Sequence, residues 1–297
     1  MDKKDTIIIL GASGLVGNCL FKQLKKNGKK VIGTYNKNEK PGLVPFDLTR
    51  PSLKNILDKN AKYCIICSAI TKLDECKKNS EYSNAVNIYG VKSLLMELSN
   101  QGVFPIFLSS GAVFDGIDGD YKEEDERRPI SLYGSQKKEI EDFIFSKIED
   151  YLIVRPGKIF GIDSEKDILF SNWLEKYKNR EEIFCADDEK LSPTYVDDVA
   201  LGIEKLLEKN ARGVYHLNYP KSYSRFEMAT NFFNYLGIDN AKIVRCSIDD
   251  FNFLEKRMKN SYLNADKFIK ETKFQFTALE DIFKLFKFTK KGMHKDE

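Results

Sequence analysis

Tyr133-Gly134-Ser135-Gln136-Lys137 places a lysine four positions after a tyrosine, and none of the other 13 tyrosines has one there. On a helix, positions i and i+4 share a face, so the ammonium is expected near the phenol oxygen. A nearby cation favours phenolate and lowers a pKa that is otherwise about 10. Such a phenol can donate a proton to a carbonyl oxygen as hydride arrives, or take it back in reverse. Tyr and Lys at an exposed helix start can also share this spacing by accident. A second group is Ser109-Ser110, which precedes Gly111 at the end of the apolar run 105–109. Ligands of open α/β sheets gather beyond the carboxyl ends of strands. A hydroxyl there can hold the reacting oxygen, although Ser-Ser-Gly is also ordinary turn chemistry.

A third group points to a cofactor. Ile7-Ile8-Ile9-Leu10 runs into Gly11-Ala12-Ser13-Gly14-Leu15-Val16-Gly17. A strand, three glycines spaced G-x-x-G-x-x-G and a helix offer backbone N–H groups and a helix N-terminus to a pyrophosphate. Gly11, Ser13, Gly14, Leu15, Val16 and Gly17 are therefore expected to line a dinucleotide. An acid about 20 positions on would bind a ribose 2′-OH and repel a 2′-phosphate. Here the second strand ends in Thr34-Tyr35-Asn36-Lys37, with no carboxylate before Glu39. Lys37 can pair with a phosphate, which predicts NADP(H) as the preferred cofactor and NAD(H) as a possible one.

The elements that must hold these groups alternate between strand and helix, as in a parallel sheet covered on both faces. Strands are expected at 7–10, 31–35, 45–47, 63–68, 105–109 and 151–155. Helices are expected at 15–26, 52–59, 81–100 and 133–148. A helix at 199–207 and a strand at 214–217 return to the sheet edge, whereas 157–193 reads as irregular. Further on come a helix at 225–236, a short strand at 242–246 and polar or helical pieces. The predicted fold is α/β, a Rossmann-like doubly wound parallel sheet with a smaller C-terminal α/β substrate lobe. Residues 1–156, with 194–217, form the dinucleotide domain. Residues 157–193 and 218–290 form the substrate lobe, and 291–297 a frayed tail.

Composition removes several function classes. Lys and Arg number 48 against 45 Asp and Glu, so no basic field for nucleic acid is implied. No apolar stretch approaches the length of a membrane span, and a cytoplasmic location follows by default. Cys64-Ile65-Ile66-Cys67 is formally C-x-x-C, yet it lies in a buried-strand pattern where thiols act as small hydrophobes. With only His216 and His294 available, no metal site is expected.

Taken together, the glycine motif, Ser109-Ser110 and Tyr133-x-x-x-Lys137 resemble the extended short-chain dehydrogenase/reductases. Ser109-Ser110-Gly111-Ala112-Val113-Phe114-Asp115-Gly116 is similar to a segment S-T-D-Y-V-F-D-G. Ser192-Pro193-Thr194-Tyr195-Val196-Asp197-Asp198-Val199-Ala200 and Arg257-Met258-Lys259-Asn260-Ser261-Tyr262-Leu263-Asn264 match two further stretches. All three narrow the resemblance to the dTDP-4-dehydrorhamnose reductase family.

That resemblance implies Ser110 and Tyr133 at a substrate carbonyl, with Lys137 holding Tyr133 and the nicotinamide ribose. It implies Asp47 and Leu48 near the adenine, Cys67, Ser68 and Ala69 lining the cofactor, and Arg155, Pro156 and Gly157 near the nicotinamide. Gly111, Ala112, Val113 and Thr194 fall at substrate positions, and Asn87 where a helix asparagine supports the lysine through water. Arg257 is a candidate for the substrate diphosphate, because a guanidinium pairs with phosphate oxygens bidentately. The competing reading places Arg257 in a solvated run with Lys256 and Lys259. The sequence departs from the family at Gly111-Ala112, at Cys67-Ser68 and at Met258.

The implied activity is NAD(P)H-dependent reduction of a keto group on a nucleotide-linked deoxysugar, in polysaccharide biosynthesis, by a possible homodimer. The same fold and Tyr–Lys pair also serve epimerases and dehydratases. A non-catalytic NADP-binding regulatory subunit, like the methionine adenosyltransferase β chain, is the alternative from another class.

Overall fold

The computed structural model describes residues 5–161 and 169–293. Its strands are β1 Thr6–Leu10, β2 Lys30–Tyr35, β3 Val44–Pro45, β4 Ala61–Ile66, β5 Phe104–Leu108, β6 Leu152–Pro156, β7 Lys158–Phe160, β8 Ile183–Ala186, β9 Lys190–Leu191, β10 Pro193–Tyr195, β11 Gly213–Leu217, β12 Tyr223–Ser224 and β13 Ile243–Cys246. Its helices are α1 Leu15–Lys26, α2 Leu73–Lys78, α3 Ser80–Asn84, α4 Val91–Asn100, α5 Leu132–Lys147, α6 Leu169–Lys178, α7 Val196–Glu208, α8 Arg225–Leu236, α9 Asp266–Thr272 and α10 Leu279–Met293.

Seven strands form one sheet in the order β11-β6-β5-β4-β1-β2-β3, and every pairing in it is parallel. Ile7, Ile8, Ile9 and Leu10 are fully buried, as a central strand covered on both faces requires. One face packs against α1 and α7 through Val16, Leu20, Leu24, Val199, Ile203 and Leu206. The other packs against α4 and α5 through Val91, Leu94, Leu98, Ile140 and Ile144. Strand order reverses between β1 and β4, which opens a crevice at the carboxyl edge.

A separate aromatic core lies outside the sheet. Phe160, Phe170, Trp173, Ile183, Phe232, Phe233, Phe283 and Phe286 meet there, from β7, α6, β8, α8 and α10. The region 157–193, expected to be irregular, therefore holds β7 to β9 and α6 among its described residues. Its strands have two to four residues each. Strand β8 finds its partner β13 about 60 residues away, a pairing that no local pattern reveals.

Other expectations change shape. The helix expected at 52–59 is a single 3-10 turn, Leu53–Asn55. The helix at 81–100 is interrupted by a π turn, Ala85–Gly90, and α2 precedes it. A Cβ at Gly90 would lie 1.8 Å from the Leu48 carbonyl oxygen, so only glycine lets the π turn lie against that loop. Helical backbone continues through Met293, where fraying from 291 was expected. Residues 294–297, with His294, lie outside the described residues. Among the described residues, no helix is long and apolar enough to cross a membrane.

Candidate active site

Gly11 has φ +82°, and a Cβ there would come within 2.7 Å of Ser68 Oγ. A Cβ at Gly17 would lie 2.2 Å from the Gly11 carbonyl oxygen, so α1 begins pressed against the turn. Gly14 caps α1 without a side chain, and the first turn carries no acid. The first-turn N–H groups of α1 therefore face outward with the positive end of the helix dipole. Pyrophosphate chemistry fits this glycine cradle. Ser13 and Val16 are largely buried and Leu15 half-buried, so these residues offer main chain more than side chain. Cys67, Ser68 and Ala69 follow β4 and are half-buried beside Gly11. Burial holds the Cys64 and Cys67 thiols far above the usual range, against any redox reading of C-x-x-C.

Lys37 is exposed just beyond β2, with its ammonium over the Tyr82 ring at 5.4 Å. Asp47 is exposed and accepts from the N–H of Thr49 at 2.8 Å. The Leu48 side chain belongs to the core with Ile88 and Val91, which leaves its main chain for an adenine.

Ser131 caps α5 by accepting from the Gly134 N–H at 3.2 Å. A Cβ at Gly134 would sit 2.1 Å from the Ala112 carbonyl oxygen, so α5 packs tightly on the turn that follows Ser110. That contact sets the Tyr133 phenol beside the Ser110 hydroxyl. Burial pushes the Tyr133 phenol above its usual range, and the Ser110 hydroxyl opposes this more weakly. Here the expected lowering by Lys137 is corrected. Lys137 Nζ donates to the Leu108 carbonyl at 2.7 Å and lies 5.7 Å from the Tyr133 ring centroid. The ammonium faces the ring but is bonded elsewhere.

Burial also lowers Lys137 itself, to about 8. Loss of hydration penalises the ammonium, and no carboxylate bonds it directly. In the dinucleotide-free protein, 15N-lysine NMR is expected to show this amine titrating near pH 8: ammonium below, neutral above. A midpoint above 10 would mean that hydration reaches the site.

Beneath the site lies a buried charge network. Arg155 is fully buried, with Nε and Nη2 donating to the two Glu141 oxygens at 2.8 and 2.7 Å. Ser109 donates to Glu141 at 2.6 Å, and Arg127 reaches it at 3.1 Å. His216 Nε2 lies 3.1 Å from Arg155 Nη1, and burial holds its imidazole down at about 3. The Arg155 side chain is thus committed to this network, leaving Pro156 and Gly157 at the end of β6. Ser109 is committed to this network as well, whereas Ser110 Oγ accepts from the Ala112 N–H at 3.2 Å and lies outside it.

Asn87 is held by direct bonds to its neighbours. It accepts from the Ile70 N–H and donates to the Ile70 carbonyl, both at 2.9 Å, and donates to Gln136 at 2.8 Å. Gln136 in turn donates to Ser83 and Asn84, each at 2.8 Å. This hub ties the loop after β4 to the helix that carries Tyr133.

Among the expected substrate residues, Ala112 packs against Tyr133. Gly111 is buried behind Leu263, and Val113 joins Phe114, Tyr121 and Leu263 in a closed cluster, which corrects its assignment. Thr194 is corrected too: it is fully buried, and its hydroxyl accepts from the Tyr219 N–H at 3.1 Å. Arg257 is not in a solvated run. It stacks over Phe253 at 4.2 Å and pairs with Asp74 at 3.0 Å, while its buried Nη1 has no partner among the described residues. Its neighbour Met258 packs against the Tyr133 cluster. A cavity of about 300 Å³ opens here, lined by Asp115, Gly116, Ile117, Ile130, Arg257 and Lys259.

Residues 5–286 match the family described as RmlD substrate binding domain. The chain belongs to that family. A dTDP-4-dehydrorhamnose reductase from Bacillus anthracis, solved in complex with NADP, superposes with a TM-score of 0.84 at 25% identity, covering 96% of this chain and 99% of that one. The probable low-salt glycan biosynthesis reductase Agl14 of Haloferax volcanii is 26% identical over 282 residues, 92% of this chain and 94% of its own. Methionine adenosyltransferase 2 subunit beta of Xenopus tropicalis is 28% identical over 239 residues, 74% of this chain and 69% of its own.

Sequence reasoning missed Glu141, Gln136 and Asp74. Glu141 was within reach, since it stands four residues after Lys137 and shares its helix face. Asp74 had no signal, because its partner Arg257 is 183 positions away, on a segment without regular structure.

Proposed function

We propose that this chain is an NAD(P)H-dependent oxidoreductase that reduces a keto group on a nucleotide-linked deoxysugar. The observation that carries this reading is the meeting of Ser110, Tyr133 and Lys137 at the carboxyl edge of a sheet whose first βα turn suits a pyrophosphate. When bound, the nicotinamide supplies hydride. Tyr133 delivers the proton to the carbonyl oxygen, and Ser110 holds that oxygen by its hydroxyl. Below about pH 8 Lys137 is an ammonium, and its charge steadies the phenolate that Tyr133 becomes. Gly11, Ser13, Gly14, Leu15, Val16 and Gly17 hold the pyrophosphate, with Cys67, Ser68, Ala69 and Pro156 along the dinucleotide.

Residues 1–156 with 194–217 serve as the dinucleotide domain, and 157–193 with 218–290 as the substrate lobe. The aromatic core outside the sheet supports this division. The stretch from Phe268 to Phe276 is an exception, since it packs on the first core. Arg257 reaches from the lobe toward the substrate diphosphate, which its unpartnered Nη1 supports. The name of the Haloferax relative supports a place in glycan assembly.

The test is NADPH consumption by the purified chain against a panel of nucleotide 4-keto-sugars. Sugar conversion without net consumption would favour an epimerase. Tight NADPH binding with no turnover on any sugar would favour the regulatory-subunit alternative, in line with relatives named as an adenosyltransferase subunit beta.

Cofactor choice follows from Lys37. Lys37→Ala is expected to weaken NADPH binding about tenfold and leave NADH unchanged, since a hydrogen bond to a charged group is worth about 1.5–3 kcal/mol, less at an exposed site. Calorimetry with both cofactors decides it. Equal losses would separate Lys37 from the 2′-phosphate.

A further inference from the structure

Gln136 stands three residues after Tyr133 and one before Lys137, and it is 1% exposed. A buried amide is costly to desolvate, and an apolar side chain would fill the same space without that cost. What the amide adds is direction. Its bonds to Ser83, Asn84 and Asn87 belong to a closed ring that runs through the walls of the site.

The ring starts at Ile70, the residue after Cys67-Ser68-Ala69. Asn87 grips both main-chain groups of Ile70, the N–H with Oδ1 and the carbonyl with Nδ2. Main-chain groups have a fixed polarity, so the Asn87 amide has one orientation. Its Nδ2 then needs a second acceptor, and Gln136 Oε1 supplies it. That turns Gln136 Nε2 toward Ser83 Oγ and Asn84 Oδ1. The Ser83 hydroxyl donates to the Cys76 carbonyl at 3.0 Å, and Cys76 Sγ donates back to the Ile70 carbonyl at 3.2 Å. Cys76, Ser83, Asn87 and Gln136 are all buried. A satisfied buried network fixes one arrangement of the elements that carry it.

Those elements are the ones that must agree for hydride and proton to arrive together. Cys76 packs with the Tyr133 ring, and Ile70 packs against that cluster. Ile70 also ends the loop whose Ser68 lies against Gly11. Gln136 itself rides on α5 with Tyr133 and Lys137. We propose that Gln136 is a positioning residue that locks α5 to the 67–70 loop, and so sets Tyr133 against the dinucleotide which that loop lines. This rests on the NAD(P)H-dependent reading above and names the side chain that keeps its two halves in register.

The experiment is calorimetry of NADP+ on the full chain, beside steady-state kinetics. Gln136→Met keeps the length of the side chain and removes all three bonds. It is expected to weaken NADP+ binding about tenfold, the scale of one buried hydrogen bond. Turnover is expected to fall on the order of 10²-fold, the effect of a misplacement of about 1 Å, with substrate KM unchanged. Adding Asn87→Leu is expected to weaken binding no further, because both replacements cut one ring. Gln136→Glu keeps the acceptor for Asn87 and serves if the methionine variant fails to fold. Its buried carboxyl is expected to keep most of the affinity when protonated, below about pH 6, and to lose it when ionised against Asn84 Oδ1, above about pH 9. Wild-type NADP+ affinity in Gln136→Met, with only the unfolding midpoint lowered, makes Gln136 a packing residue and overturns the proposal. So do losses from Gln136→Met and Asn87→Leu that simply add. A wild type that binds NADP+ but reduces no sugar sinks the reductase reading, while calorimetry still judges Gln136.

Discussion

Tyr133→Phe is expected to fold, to bind dinucleotide as before and to lose roughly 10²–10⁴ in turnover, the usual share of a positioned general acid. The ring packs among Cys76, Ala112 and Met258, and phenylalanine preserves those contacts. What disappears is the hydroxyl beside Ser110, the proposed proton donor. Because burial already pushes the phenol up, Tyr133 is held protonated at neutral pH, as a donor must be. Steady-state rates with NADPH and the true substrate measure the loss. Turnover within threefold of wild type would move proton transfer to another group and restore the regulatory-subunit reading.

The second large effect is on stability. Glu141→Ala is expected to cost about 3–5 kcal/mol, because it leaves the Arg155 charge buried without its partner. His216 cannot help, since it stays neutral down to about pH 3 and the guanidinium needs an acceptor with charge. The Ser109 hydroxyl and Arg127 lose the same carboxylate. Urea unfolding followed by circular dichroism reads the change. The double replacement Glu141→Leu with Arg155→Met is expected to recover most of the loss, since a buried pair contributes little beyond an apolar one of similar volume. A cost below about 1 kcal/mol for Glu141→Ala would mean that water reaches Arg155.

Much of this was legible where one short segment carries both a pattern and its stop signal. Helices α1 and α8 run over the residues expected, 15–26 and 225–236; α1 begins at the glycine turn and ends at Asn27-Gly28, and the structure shows α8 bounded by Ser224 and Gly237. Tyr133 and Lys137 were legible as a pair because a helix fixes their spacing. What the spacing could not show is where the lysine bonds. The nearest acceptor is the Leu108 carbonyl on another element. Arg155 was assigned by resemblance alone, and its partner Glu141 lies on a helix face that only packing brings underneath. The π turn was invisible because Gly90 reads as an ordinary helix glycine until the Leu48 carbonyl is seen against it. Thr194 and Val113 were placed by resemblance alone, and resemblance does not say which way a side chain turns.

The aromatic core outside the sheet has a consequence for how the molecule is made. Phe160 and Phe170 leave the ribosome long before Phe283 and Phe286, which close over them. The parallel sheet is complete once β11 at Gly213–Leu217 has been synthesised, so it can form while the aromatic cluster still lacks one wall. During that interval the nascent chain carries a paired sheet, still without Phe268 in its core, beside an open aromatic surface. That surface is where a chaperone would find its grip, and where misassembly between neighbouring nascent chains would begin.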